Sequence, residues 1–173
     1  TLNGSGSIDM RRTVGKLTNL EDALSEKPLA GHTGIGHTRW ATHGPPSEEN
    51  AHPHRAGKVV VIHNGIIENF LELKKTLEER GRTFHSETDT EVISQLIDHH
   101  MDEGMEFMEA ARAAVRELEG SFAIVVLSDD DRSRLLTAKT ATPIVIGLGE
   151  GENFVASDVP AILEHTRRVL YLE

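Results

Sequence analysis

Lys58-Val59-Val60-Val61-Ile62-His63-Asn64-Gly65 decides the fold: a continuous run of four β-branched residues, bounded by turn residues, predicts a buried strand. The run closes on Asn64-Gly65, where the strand is expected to end, since Asn-Gly is the commonest dipeptide of tight turns. Downstream, Ile67, Phe70, Leu71 and Leu77 share one helical face that stops at Gly81. Thr88-x-x-Glu91 reads as a capping box opening a second helix that carries Val92, Ile93, Leu96 and Ile97. A third, alanine-rich helix is expected from about Glu106 to Glu119, with Met108, Ala111, Val115 and Leu118 inward and Gly120 as its stop. Short strands follow at Ser121 to Ser128, Arg134 to Lys139, Ile144 to Gly149, Asn153 to Ser157 and Arg168 to Leu172. Upstream, Thr18 to Ser25 has the spacing of a short helix ended by Pro28, and Gly31 to Thr42 alternates like a strand. Three glycines in that second stretch mark close backbone approach, with a ligand as one candidate. Thr1 to Ile8 is a tight hairpin turn or a flexible linker. Helices in the middle and hairpin-linked strands at the end predict one α+β domain, with helices covering antiparallel sheet.

The 173 residues suffice for one domain with its own core. A formal net charge of -10 argues against nucleic acid or an anionic membrane as the main partner, because both require a basic face. Cysteine is absent, which excludes a disulfide framework, thiolate zinc sites and any cysteine nucleophile within these residues. No apolar run approaches the roughly 18 residues of a membrane helix, and the expected location is cytoplasmic.

Three clusters carry candidate chemistry. His37-Thr38-Arg39-Trp40-Ala41-Thr42-His43-Gly44 packs two imidazoles, a guanidinium and the only tryptophan into eight residues. Arg39 offers a planar fork for a carboxylate, and Trp40 can shield a site from water. His63-Asn64-Gly65 provides one side-chain and one backbone donor that suit an oxyanion, a plain turn being the simpler alternative. In Ser86-Glu87-Thr88-Asp89-Thr90-Glu91, capping accounts for Thr88 and Glu91 but leaves Asp89 free to accept from a ligand ammonium. His52 with His54, and His99 with His100, lack the helical spacing of a metal motif, so no metal and no cofactor are expected. Gly147-x-Gly149-x-Gly151 is expected to be a strand-linking turn.

Taken with Asn50-Ala51-His52-Pro53-His54 and His63-Asn64-Gly65-Ile66-Ile67-Glu68-Asn69, these clusters resemble, in order and spacing, the signature blocks of a known family. That family is the class II glutamine amidotransferase (glutaminase) domain found in glucosamine-6-phosphate synthases. The resemblance runs from about Gly15 through Glu152 to Asp158 and Thr166-Arg167-Arg168. It implies an N-terminal-nucleophile hydrolase fold, a four-layer α-β-β-α sandwich of two antiparallel sheets. It also implies hydrolysis of L-glutamine to glutamate and ammonia by an N-terminal cysteine whose own α-amine is the base. Carried over by motif, Arg39 holds the substrate α-carboxylate with Thr42 and His43 beside it, and Asp89 takes the α-ammonium. Asn64 and Gly65 form the oxyanion hole, and Trp40 belongs to a gate over the glutamine or its ammonia outlet. The family's opening Cys-Gly-Ile-Val-Gly strand and its sugar isomerase domain have no counterpart in residues 1–173. The implied unit is therefore a glutaminase domain incomplete at its N-terminus and inactive alone. In full length it would work beside a sugar isomerase domain of the same polypeptide, as a homo-oligomer, using ammonia to turn fructose-6-phosphate into glucosamine-6-phosphate. Open alternatives are the glutaminase of a purine-pathway amidotransferase or of asparagine synthetase, or a nucleophile-less glutamine-binding module.

Overall fold

The structure, a computed structural model, describes residues 1–40 and 42–172; Ala41 of the tryptophan motif and Glu173 lie outside the described residues. The elements in chain order are α1 (Leu17–Glu26), β1 (His54–Ala56), β2 (Val59–Ile67), α2 (Phe70–Glu79), α3 (Thr90–Asp102), α4 (Phe107–Glu117), β3 (Gly120–Ser128), β4 (Leu136–Lys139), β5 (Val145–Leu148), β6 (Asn153–Ala156) and β7 (Val169–Tyr171). A short 3-10 turn spans Val159–Ala161. They build two antiparallel sheets, one ordered β1-β2-β3-β4 and one ordered β6-β5-β7, with helices on the first. The α+β expectation holds.

The first sheet separates its side chains by the period of two that a pleated strand imposes. Val59, Val61 and Ile67 of β2, with Phe122, Ile124 and Val126 of β3, face α3 and α4 and join Ile93, Ile97 and Ala110 in the main core. The alternate residues point the other way. Val60 and Leu127 pack on Leu2 and Ile8, while Ile62 and Val125 line a cavity of about 330 Å³ whose opposite wall includes Ile144 and Val155 of the second sheet region. The long apolar run of β2 is thus explained by burial on both faces.

Three expectations are corrected. β2 does not end at Asn64-Gly65 but runs on to Ile67, because β3 pairs with all nine of its residues, from Val59 opposite Ser128 to Ile67 opposite Gly120. Gly65 is not in a turn: it sits at φ +124, and a Cβ there would lie 2.0 Å from the Ser121 carbonyl oxygen, so only glycine permits this approach of the strands. The described residues of the stretch from Gly31 to Thr42 form no strand of either sheet. Thr33, Ile35, His37 and Arg39 are half-buried between exposed neighbours, as extended chain requires, but apart from a bridge from Leu2 to Thr33 this backbone joins no ladder. The capping box is also not formed. α3 starts at Thr90, the Thr88 hydroxyl is paired with His54 Nε2 at 3.1 Å, and the Glu91 carboxylate accepts the His85 and Ser86 amides at 2.9 and 2.6 Å. Both side chains are buried, and they are used to fix the loop before the helix.

α3 is the support under β2, so truncating Ile93, which is fully buried between them, is expected to cost about 2–5 kcal/mol. Chemical denaturation of Ile93→Ala measures this, and a loss below about 1 kcal/mol would show that the contact carries little.

Candidate active site

The site grows from the open edge of β2. Residues facing each other in an antiparallel pair alternate between hydrogen-bonded and non-hydrogen-bonded. Phe122 donates its N–H to Thr140 Oγ1 and accepts the Thr140 N–H on its carbonyl, each at 2.9 Å, so its backbone is engaged on the β4 side. Its partner Gly65 therefore belongs to a non-hydrogen-bonded pair, and the Gly65 amide points away from β3. Beyond Val61, β1 no longer covers that side. The amides on either side of Gly65 share its direction: His63 N–H donates to His52 Nδ1 at 3.3 Å and Ile67 N–H to Asp89 Oδ2 at 2.9 Å. Between them, the Gly65 N–H has no partner among the described residues.

A cavity of about 300 Å³ lies against this edge, at the lower end of the range for small-molecule sites. Arg39, Trp40, Thr42 and His43 line it from the segment before β1, Asn64 and Gly65 from β2, and Asp89 from the start of α3. Arg39, Trp40, Thr42, His43, Asn64, Gly65 and Asp89, which the family resemblance assigns to the site, thus meet at this one cavity. Asp89 is buried, with Oδ2 fixed by the Ile67 amide and Oδ1 3.8 Å from His43 Nδ1. Asn64 presents its carbonyl oxygen to His37 Nε2 at 2.7 Å, which leaves its NH₂ without a partner among the described residues. Arg39 donates to three main-chain carbonyls, of Pro45 at 3.1 Å, of Gly44 at 2.9 Å and of His43. Among the described residues no carboxylate pairs with it. Asn50 completes this loop, donating to the Pro45 carbonyl at 3.0 Å and accepting the Glu87 amide at 2.9 Å. Trp40 is 90% exposed and stands at the rim, so in this conformation it does not shield the cavity. Thr42 is exposed, its hydroxyl 3.3 Å from His43 Nδ1.

Sequence reasoning missed the layer behind these residues. Because His52 Nδ1 accepts the His63 amide, a neutral His52 carries its proton on Nε2, which faces Thr90 Oγ1 at 3.4 Å. The Thr90 hydroxyl then donates to His63 Nδ1 at 3.0 Å, leaving the buried His63 Nε2 unpartnered. His52 stacks on His37 at 4.1 Å between ring centroids. In the sequence, the close pair His52 and His54 has the look of metal chemistry, and nothing in its spacing points to a hydrogen-bonded scaffold.

These imidazoles are held neutral. Burial, then the neighbouring imidazoles and the Arg39 guanidinium, push His52 down to about 2. Burial lowers His54 to about 4 against the pull of Glu91, and lowers His63 to about 4 against the pull of Asp89. His37 is lowered by burial as well, opposed by its bond to Asn64.

A profile of the glutamine amidotransferase domain family matches residues 37–164. The chain is 53% identical over 173 residues to the glutamine--fructose-6-phosphate aminotransferase [isomerizing] of Gluconobacter oxydans, and 50% identical over 168 residues to that of Methanothermobacter thermautotrophicus. These alignments take in 100% and 96% of the chain but 28% of each relative, so the chain spans about a quarter of the length of these relatives. Among solved structures it is similar to the glutamine phosphoribosylpyrophosphate amidotransferase of B. subtilis, with a TM-score of 0.62 and 26% identity over 79% of the chain and 29% of that protein. A second structure, described as the allosteric regulatory enzyme of purine biosynthesis, gives a TM-score of 0.60 at 25% identity over 73% of the chain and 27% of that protein.

The histidine layer has a consequence for stability. The folded values near 4 lie below the roughly 6.5 of an unfolded histidine, so between these limits the unfolded chain binds more protons than the folded one. Stability is then fully present above about pH 6.5 and is lost as pH falls toward 4. The denaturation midpoint is expected to fall steadily over that window, and His54→Gln is expected to flatten the fall. A midpoint that stays level from pH 7 to pH 5 would contradict neutral burial.

Proposed function

The chain belongs to the glutamine amidotransferase domain family, and on that premise we propose that the cavity at the β2 edge binds L-glutamine for hydrolysis of its side-chain amide. The observation that carries this reading is the unpartnered Gly65 N–H, set between two amides that are already satisfied and next to the free NH₂ of Asn64. Two donors so fixed need no reorganisation when a carbonyl oxygen gains negative charge, and each contributes on the order of 3 kcal/mol to that step. Glutamine is oriented by its two charged ends. Asp89 Oδ1 accepts the α-ammonium, since Oδ2 is immobilised by Ile67. Arg39, a cation held only by neutral carbonyls, takes the α-carboxylate, with Thr42 and His43 beside it. Trp40, at the rim, closes over bound substrate.

The 173 residues contain no cysteine, so the nucleophile that the family resemblance calls for is not among them. Attack by its thiolate on the amide carbon gives a tetrahedral oxyanion held by Gly65 and Asn64. The cysteine's own α-amine, which takes the thiol proton, returns it to the leaving nitrogen, so that ammonia departs, a thioester remains, and water releases glutamate. Residues 1–173 are read as the glutaminase domain of a cytoplasmic enzyme with a separate sugar isomerase domain. There the ammonia is used to make glucosamine-6-phosphate from fructose-6-phosphate, in a homo-oligomer.

Steady-state kinetics of the full-length gene product with glutamine tests these roles. Asn64→Ala is expected to lower kcat by about 10²–10³ with little change in KM. Arg39→Ala and Asp89→Ala are each expected to raise KM at least about tenfold, or ~1.4 kcal/mol. If Asn64→Ala raised KM alone, the oxyanion assignment would be wrong.

A further inference from the structure

We propose that His37 is a positioning residue that sets which end of the Asn64 amide faces the cavity. The inference rests on the reading of Asn64 as an oxyanion donor and deepens it. An asparagine amide is nearly symmetric in shape but opposite in chemistry at its two ends, NH₂ donating and C=O accepting. Turned one way, Asn64 stabilises a developing negative charge. Turned the other way, it adds a second acceptor to a cavity that already holds the Asp89 carboxylate and repels that charge.

The structure makes the choice through one contact, His37 Nε2 to Asn64 Oδ1 at 2.7 Å. A carbonyl oxygen only accepts, so Nε2 must carry the proton. With His37 neutral, Nδ1 is then bare, and Nδ1 is indeed buried without a partner. The opposite tautomer would face a lone pair toward the Asn64 carbonyl oxygen, inviting the amide to turn over.

The ring is also held against rotation. It lies on His52 with 4.1 Å between centroids and 18° between planes, and His52 is pinned by the His63 amide on one side and Thr90 on the other. The same strand that presents Gly65 and Asn64 thus fixes, through His63 N–H and His52, the imidazole that orients Asn64. Charge would undo little of the contact but much of its surroundings, since His37 stands close to Arg39 and to the imidazoles of His52 and His63.

Three arms test this in the full-length protein. His37→Leu is expected to lower kcat for glutamine hydrolysis by about 10- to 100-fold with KM changed less than about twofold. His37→Gln, which can place an amide N–H where Nε2 stood, is expected to recover most of the loss. In an Asn64→Ala background, His37→Leu is expected to add almost nothing, since both changes remove the same donor. Full additivity of the two substitutions, an effect on KM alone, or an unchanged kcat in His37→Leu would overturn the inference. If Asn64→Ala itself leaves kcat unchanged, the oxyanion reading falls first; if Asn64→Ala slows turnover and His37→Leu does not, only the positioning role falls. Should His37→Leu fail to fold, the long-range ¹H–¹⁵N spectrum of the unsubstituted protein decides: a proton on His37 Nε2 supports the role, and one on Nδ1 overturns it.

Discussion

Asp89 accepts the Ile67 amide at 2.9 Å, and this bond ties the start of α3 to the open edge of β2. Much of the site depends on it. Asp89 occupies the N-cap position of α3, yet its side chain makes no capping bond and reaches across to the strand instead. The helix gives up a stabilisation of about 1 kcal/mol at its N-terminus, and the strand edge gains a buried carboxylate at a fixed distance from the Gly65 amide. Because α3 is also packed under β2 through Ile93 and Ile97, neither oxygen of Asp89 can drift relative to the donors on the strand.

Electrostatics reinforce this arrangement. A buried aspartate, an arginine held by carbonyls and the imidazoles of His37, His52, His54 and His63 share a small volume, and these four stay neutral because burial, joined by the Arg39 cation at His37, His52 and His54, opposes their charging. Neutral imidazoles serve as directional hydrogen-bonding groups whose tautomers are set by what they touch. Charged ones would compete with Arg39 for an anionic group and with any cationic group for Asp89. Keeping the scaffold uncharged leaves one acidic and one basic anchor in the cavity, which is the complement of a zwitterionic amino acid.

Much of this was legible in the sequence because it depends on local pattern. The β-branched run gave β2, the 3.6-residue spacing gave α3 and α4, and the density of unusual residues from His37 to His43 and from Ser86 to Glu91 marked where chemistry is concentrated. What escaped depends on partners distant in the chain. That Asn64-Gly65 is strand and not turn follows from pairing with Ala123 and Phe122, nearly sixty residues away, and Ser121 is what makes the glycine necessary. The capping box dissolved because Thr88 and Glu91 found better partners in His54 and in the amides of the preceding loop. His37, His52 and His63 offered no readable spacing at all, since their relation exists only once β2, the loop before it and α3 meet.

The most direct test is a crystal structure of the protein with L-glutamine. The expected result has the side-chain carbonyl oxygen within hydrogen-bonding distance of Gly65 N and Asn64 Nδ2, the ammonium on Asp89 Oδ1 and the carboxylate on Arg39. Glutamine seated in another cavity, or bound here with its side-chain amide against Asp89 and nothing on the Gly65 amide, would contradict the proposed role of the β2 edge.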